Sequence, residues 1–215
     1  MNTPFNFHLT QFSNEAEILR YEVREFLSDA LKDISKETRA ETWYGADEEF
    51  SKKVGKKGWI GLNWPKEYGG AGRSAMERYV ILEEMLTAGA PVGAHWISDR
   101  QSGPLIIRYG TEKHQKELLP GILKGESYFC IGMSEPDSGS DLAALRTKAE
   151  KKDNIYIVNG TKLWTSGAHR CQYMIACFRT SQEEDRHGGL SQFIVDLSLP
   201  GITIRPIIDL AGRHH

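Results

Sequence analysis

The sequence predicts an α+β fold, in which an N-terminal all-α domain over residues 1–127 is followed by a β domain over residues 128–215. In the first part, apolar residues recur every three or four positions, which is typical of amphipathic helices. After about residue 127 the period changes to two, and β-branched or aromatic segments alternate with turn residues. Because no helices separate these segments, we expect an antiparallel sheet that forms a barrel or a sandwich.

The predicted helices are marked by capping residues, which are Asn14 with Glu17, Asp47, Ser74 with Glu77, and Thr111. Their side-chain oxygens can accept hydrogen bonds from the free N–H groups of a first helical turn. A further helical segment is predicted near residues 94–109. We expect Pro120 to interrupt the last helix, because proline has no N–H to donate.

Six strands are predicted in the second part, near residues 128–134, 146–151, 155–159, 173–179, 192–197 and 202–207. The sequence Lys152-Asp153-Asn154 is typical of a hairpin turn between the second and third of these strands.

The composition is that of an ordinary globular protein. The 215 residues include 27 Lys and Arg against 29 Asp and Glu, which gives a formal net charge of −2. This balance argues against a nucleic-acid-binding protein. No apolar run is long enough to span a bilayer, and the start, MNTPFNFHLTQF, does not have the pattern of a signal peptide. We therefore expect a cytoplasmic protein that binds neither nucleic acid nor membranes.

The three cysteines, Cys130, Cys171 and Cys177, are too few for a disulfide framework and do not have zinc-ribbon spacing. We predict that they are small core residues and that the chain has no metal site.

Residues 132–141, GMSEPDSGSD, form the first block that can carry chemistry. Glycine lets the backbone approach a ligand closely, and serine hydroxyls and N–H groups suit a phosphate. The acids in the block oppose an anion unless they face away from it. Taken alone, the block favours a plain turn rich in Asp and Ser over a ligand-binding loop.

Residues 160–167, GTKLWTSG, form the second block, in which an aromatic plane beside two hydroxyls could stack on a flat ring. Taken alone, the block favours instead a strand with a core tryptophan, followed by a turn. A third block, WIGLNWPKEYGG at residues 59–70, predicts aromatic packing of a long loop.

In this order and spacing, the three blocks resemble the acyl-CoA dehydrogenase family of flavoproteins. Two elements make the resemblance specific to this family. The first is Met-Ser-Glu with Gly-Ser-Asp at 133–141, and the second, about twenty residues later, is Asn-Gly-Thr-Lys at 159–162 with Trp164. The resemblance extends to GTEKHQ at 110–115 and Pro-Gly-Ile at 200–202, and so spans essentially the whole chain.

The resemblance implies the N-terminal and middle domains of a longer enzyme, without the family's C-terminal four-helix bundle. It implies FAD as the cofactor and α,β-desaturation of an acyl-CoA thioester to a trans-2-enoyl-CoA, with electrons passed to electron-transferring flavoprotein. The family's catalytic Glu belongs to the C-terminal bundle, so no acid of this chain is assigned as the base. Glu135 matches a structural position of the family. A homodimer or homotetramer is expected of the full-length protein.

The residues that the resemblance implies in FAD binding are Ile131, Met133, Ser134, Gly139, Ser140, Trp164, Thr165 and Ser166. Met133 and Ser134 would contact the isoalloxazine ring, Trp164 would form a wall against it, and Ser166 would hydrogen-bond near flavin N5.

Gly139 and Ser140 would meet the FAD pyrophosphate, and Ser140 would also lie close to the acyl-CoA. Thr165 is included as a neighbour of the ring contacts. Ile131 stands where many members of the family carry an aromatic residue.

Residues 94–101, AHWISDRQ, correspond by the same resemblance to a helix that lines the acyl pocket. The segment is more polar and bulkier than a fatty-acyl tunnel needs, and is similar to bacterial branches that oxidise unusual acyl-CoAs, including steroid side chains. Ordinary helix packing is the alternative for His95 and Trp96.

Two other functions remain open at this point. A relative on the same fold could pass electrons to oxygen, as an acyl-CoA oxidase or flavin monooxygenase does. A non-catalytic partner subunit of a heteromeric dehydrogenase would also carry these domains.

Overall fold

The structure, a computed structural model, describes residues 11–214 and places six α-helices before a five-stranded sheet. The helices are α1 (Asn14–Ala30), α2 (Lys36–Ala40), α3 (Glu48–Lys56), α4 (Ala75–Thr87), α5 (Gly103–Tyr109) and α6 (Glu112–Leu123). The strands are β1 (Phe129–Gly132), β2 (Lys148–Lys152), β3 (Ile155–Asn159), β4 (Tyr173–Arg179) and β5 (Leu190–Asp196). Residues 1–10, which form most of the start that does not have the pattern of a signal peptide, lie outside the described residues. None of the described helices is both long and apolar enough to cross a membrane.

Three predicted helix caps are confirmed. The carboxylate of Asp47 accepts from the backbone N–H of Phe50 at 2.6 Å, and Thr111 caps α6 in the same manner. Ser74 and Glu77 form the reciprocal capping box that their spacing predicts. These caps can be predicted because each depends only on residues within one helical turn.

Two local predictions in the helical part are wrong. Ser13, with extended backbone angles, caps α1 in place of Asn14, which already lies inside the helix. Helix α6 continues through Pro120 to Leu123. The proline lies in the last turn, where it removes one hydrogen bond, and the buried side chains of Leu119 and Ile122 hold this turn against the core.

The predicted helix at 94–109 is one turn of π-helix, Ser98–Ser102, followed by α5. Asp99 in this turn accepts from the backbone N–H of Gly61 at 2.7 Å and from the Arg78 guanidinium at 2.7 Å. The indole of Trp64 donates to the Asp99 carbonyl at 3.2 Å. The π turn therefore connects α4 to the Trp-rich loop, where Trp64 is buried as predicted for the third block.

The main hydrophobic core joins the helices to the sheet. It contains Leu19 and Val23 of α1, Ile122 of α6, and reaches Phe129 of β1 and Ile175 of β4. The hydroxyl of Ser98 also accepts from the backbone N–H of Phe129 at 2.9 Å, in a buried position. Shared packing and this hydrogen bond fix β1 against the helical part.

The sheet is mixed, so the antiparallel prediction is confirmed only in part. Strands β2 with β3 and β4 with β5 are antiparallel, whereas β1 and β4 run parallel. The long connection between β1 and β4 contains the β2–β3 hairpin and lets the chain return in the same direction. The hairpin turn is where predicted, with Asp153 at φ 52°.

The predicted strand at 202–207 is wrong, because this segment pairs with no other strand among residues 11–214. Within the described part of the chain, β3 pairs with β2 alone, and its residues Ile155, Tyr156, Ile157 and Val158 are all exposed. Alternating residues point to opposite faces of a strand, so both faces of β3 carry exposed apolar side chains.

We expect Asp99→Ala to destabilise the protein by about 3–5 kcal/mol, because it leaves the half-buried Arg78 guanidinium without its carboxylate. Urea denaturation measures this loss. Asp29→Ala is the matched control, since Asp29 pairs with Lys32 on the exposed surface and should cost below about 1 kcal/mol. Equal losses for the two variants would contradict the role given to Asp99.

Candidate functional site

A cavity of about 320 Å³ lies between the helical part and the sheet. Five of the eight residues implied in FAD binding line it, namely Ile131, Met133, Ser134, Trp164 and Ser166. The structure thus brings together the two sequence blocks that are separated by a hairpin along the chain. This volume is within the range of small-molecule sites in proteins.

The other three predicted residues do not line the cavity. Gly139 and Ser140 are exposed on the loop after β1, and a Cβ atom added to Gly139 would meet nothing within 4 Å. Thr165 lies between two lining residues, and its hydroxyl is buried without a hydrogen-bond partner among the described residues.

The carboxylate of Glu135 joins the two blocks. It accepts from the Lys162 ammonium at 2.8 Å, and both side chains are only 7% exposed. The same ammonium donates to the carbonyl of Met133 at 3.0 Å, and the N–H of Leu163 donates to the carbonyl of Ser134 at 2.8 Å. The backbone at Met133 and Ser134 is therefore fixed by the segment that carries Trp164.

The carboxyl group of Glu135 is ionised and stabilises the fold through its hydrogen bonds. Burial raises the pKa of its carboxyl, but hydrogen bonds from Arg146, Lys162 and Thr147 outweigh this effect and lower the pKa from 4.5 to about 2. A carboxylate that is ionised and fully engaged is a poor proton acceptor at neutral pH. This geometry agrees with the structural position assigned to Glu135 from the sequence.

Trp164 has an unusual backbone conformation and an open side chain. Its φ is 61°, in the left-handed region that large residues rarely adopt, and its side chain is 67% exposed. The core tryptophan favoured from this block alone is therefore wrong. A large aromatic side chain held in such a conformation at a cavity wall is characteristic of a functional site.

The other acids of the first block are matched by cations. Asp137 lies 3.8 Å from Arg146, and Asp141 lies 2.6 Å from Arg186. These pairs balance the negative charge that would oppose an anion bound at the loop.

The predicted acyl-pocket segment contributes to the opposite wall of the cavity, through Trp96, Ile97 and Gln101. His95 is buried behind this wall, where Ser51 Oγ lies 2.8 Å from its Nδ1. Burial lowers the pKa of His95 to about 4, although nearby Asp99 opposes the shift. Helix packing is therefore the role of His95, while Trp96 faces the cavity.

Sequence reasoning missed part of the lining. Trp43 and Tyr44 come from a short turn before α3, and Arg170 comes from the short helix Ala168–Arg170. The guanidinium of Arg170 lies 4.8 Å from the ring centroid of Tyr44. No local pattern marks these residues, because they meet only through the packing of the two parts of the chain.

The cysteine prediction is correct for Cys130 and Cys177, which are buried, whereas Cys171 is half-buried and lines the cavity.

Models of the acyl-CoA dehydrogenase N-terminal domain and of the acyl-CoA dehydrogenase middle domain match residues 13–126 and 130–215. The chain therefore belongs to the acyl-CoA dehydrogenase family.

Similar proteins extend well beyond the matched region. Acyl-CoA dehydrogenase FadE29 of Mycobacterium tuberculosis is 36% identical over 202 residues, which are 94% of this chain and 52% of that protein. A structure described as the Tcur3481-Tcur3483 steroid ACAD superposes with a TM-score of 0.85 at 37% identity, covering 94% of this chain and 53% of its own. The ChsE4-ChsE5 complex from Mycobacterium tuberculosis superposes with a TM-score of 0.83 at 36% identity, covering 95% of this chain and 52% of its own. The chain thus spans about half the length of the relatives it matches.

The predicted cofactor is confirmed at the level of the family. A glutaryl-CoA dehydrogenase from Mycobacterium smegmatis, solved in complex with FADH2, superposes with a TM-score of 0.75 at 26% identity over 91% of this chain and 49% of its own. FAD is therefore the cofactor of this protein's family.

We expect Glu135→Gln to destabilise the protein by about 3–5 kcal/mol at neutral pH, because it leaves the buried Lys162 ammonium unpaired. Since the folded pKa lies below the ordinary value, the stabilisation from Glu135 is complete above pH 4.5 and is lost as the pH falls towards 2. The unfolding free energy of the variant should therefore fall less steeply than that of the wild type across this window.

Chemical denaturation at several pH values between 2 and 7 tests this expectation. Glu150→Gln, on the exposed side of β2, is the control and should leave the pH profile unchanged. Parallel profiles for wild type and Glu135→Gln would contradict the role of the carboxylate.

Proposed function

We propose that this chain forms the flavin-binding portion of an FAD-dependent acyl-CoA dehydrogenase. The reaction is the α,β-dehydrogenation of an acyl-CoA thioester to a trans-2-enoyl-CoA, with electrons passed to electron-transferring flavoprotein. Bound FAD would supply the acceptor for the hydrogen that leaves the β-carbon. The chain's own residues would bind and orient the flavin and form part of the acyl pocket.

The exposed ring of Trp164 is the observation that carries this proposal. Its large aromatic surface faces a cavity that also contains the hydroxyls of Ser134 and Ser166. Thr165, between Trp164 and Ser166, has a buried hydroxyl without a hydrogen-bond partner among the described residues. A planar ring with heteroatoms at its edge fits such a combination of stacking surface and unused hydrogen-bonding groups.

The roles implied by the resemblance become proposals with this geometry. Met133 and Ser134 follow β1, where Lys162 holds the backbone, and would contact the isoalloxazine ring from there. Ile131 would contact the edge of the ring. Gly139 and Ser140 would meet the pyrophosphate on the loop outside the cavity, where the acids are already paired.

No carboxylate is found among the described residues that line the cavity. We therefore place the base that removes the α-proton outside residues 11–214. The apolar and aromatic lining would exclude water, which strengthens the hydrogen bonds that polarise the thioester carbonyl.

The acyl pocket fits a flat, ring-bearing acyl group better than a straight fatty chain. Trp43 and Trp96, whose ring centroids are 6.5 Å apart, and Tyr44 provide aromatic surface on the helical side. The similarity to a structure described as a steroid ACAD supports the same class of substrate.

The assembly is also part of the proposal. The similar ChsE4-ChsE5 structure is a complex of two named proteins, so we place this chain in an oligomer and favour one of unlike subunits over a homodimer or homotetramer. A non-catalytic partner subunit would share this assembly but would not turn over substrate. Co-purification of a second polypeptide with the full-length protein would support the heteromer.

We expect the full-length protein, with any partner subunit, to be purified with yellow FAD and to reduce an electron acceptor when given an acyl-CoA. Production of the trans-2-enoyl-CoA, measured by mass spectrometry, tests the reaction. Oxygen uptake with release of hydrogen peroxide would favour the oxidase or monooxygenase instead. A protein that binds no flavin and reduces no acceptor with any acyl-CoA would contradict the proposal.

We expect Trp164→Ala to weaken FAD binding about tenfold, because it removes the stacking surface. Flavin fluorescence during titration of the apoprotein measures the dissociation constant. Tyr109→Ala is the matched control, since Tyr109 is exposed on α5 and does not line the cavity. Equal FAD affinity of all three proteins would rule out the role of Trp164.

A further inference from the structure

Arg170 is the one charged side chain among the described residues that line the cavity. It ends the short helix Ala168–Arg170, which follows the predicted flavin contacts directly along the chain. Its guanidinium lies over the ring of Tyr44, on the wall that the helical part contributes.

The pairing of Arg170 differs from that of the other half-buried arginines. Arg20 and Arg78 form salt bridges with glutamate or aspartate, and so does Arg73 with Glu77. Arg179 donates to backbone carbonyls, including that of Gly188 at 2.7 Å. Within residues 11–214, by contrast, the Arg170 side chain makes no hydrogen bond or salt bridge, and its guanidinium lies over the face of Tyr44.

A partly desolvated guanidinium with only a cation–π contact has most of its N–H donors available. Carboxylates satisfy such a group best, because two parallel hydrogen bonds match the planar fork of arginine. The surrounding lining is mostly aromatic or aliphatic, which strengthens an ion pair formed there.

The position of Arg170 separates it from the proposed phosphate site. Gly139 and Ser140, proposed to meet the FAD pyrophosphate, do not line the cavity, whereas Trp43, Tyr44 and Trp96 share it with Arg170. Because its guanidinium lies over the ring of Tyr44 on the helical wall, the cation lies with the residues proposed to hold the acyl group.

We infer that Arg170 selects acyl-CoA substrates whose acyl group carries a second, ionised carboxylate. This inference rests on the proposed acyl-CoA dehydrogenase function and specifies its substrate class. The guanidinium binds the distal carboxylate, while the aromatic walls hold the ring-bearing carbon skeleton between it and the thioester.

The test uses the full-length, FAD-loaded protein and two probes that differ in one group. They are 3-(4-carboxycyclohexyl)propanoyl-CoA and 3-(4-methylcyclohexyl)propanoyl-CoA. Binding is followed by the perturbation of the flavin absorbance spectrum and turnover by acceptor reduction, so a probe that binds without reacting still reports the preference. We expect the wild type to prefer the carboxylate probe at least about tenfold, mainly in KM or Kd.

Arg170→Gln should remove this preference by weakening the carboxylate probe alone. Arg108→Gln is the control, because Arg108 makes a similar cation–π contact with Tyr109 on the exposed surface and does not line the cavity. It should keep the wild-type preference.

The inference is overturned if the wild type binds both probes equally or binds neither, while other acyl-CoAs still reduce its flavin. It is also overturned if Arg170→Gln weakens both probes and FAD alike, since Arg170 would then contact the cofactor or the CoA phosphates. Failure of the proposed function is a distinct result, in which no acyl-CoA at all reduces the flavin.

Discussion

The buried ion pair between Glu135 and Lys162 is the interaction on which the candidate site depends. It joins the segment after β1 to the segment after β3, and the remaining oxygen contacts of the carboxylate hold the backbone before β2. Met133, Ser134 and Trp164 reach one cavity because of this pairing. It also gives a physical reason why the two sequence blocks occur together, since each contains one member of the pair.

The fold was predictable from the sequence where local rules decide it. Caps at Asp47, Ser74 and Thr111 and the β2–β3 hairpin depend on neighbouring residues, and all are as expected. The parallel pairing of β1 with β4 joins residues more than forty positions apart, so strand patterns could not reveal its direction. The segment at 202–207 has the period-two pattern of a strand, but this pattern does not determine whether another strand pairs with it.

The site was predictable mainly through the resemblance, and only on its sheet side. Five of the eight residues implied in FAD binding line the cavity, and the helical segment at 94–101 supplies part of the facing wall. The sequence pattern did not indicate a role for Trp43, Tyr44 and Arg170, because they lie in short turns that have no distinctive motif. Ser98 contacts β1 and Asp99 contacts the Trp-rich loop through buried hydrogen bonds, which join the two parts of the chain beside the cavity.

The exposed strand β3 has a consequence for handling the protein. Its outer edge has no ladder partner within residues 11–214, and four successive apolar side chains cover both of its faces. Such an edge is a template for intermolecular strand pairing and aggregation. Lys151 and Lys152 on the adjoining strand supply the nearby charge that opposes self-association. Expression of residues 1–215 by themselves therefore favours insoluble material, and mild solubilising conditions or co-expression with a chain that covers β3 would suit their preparation.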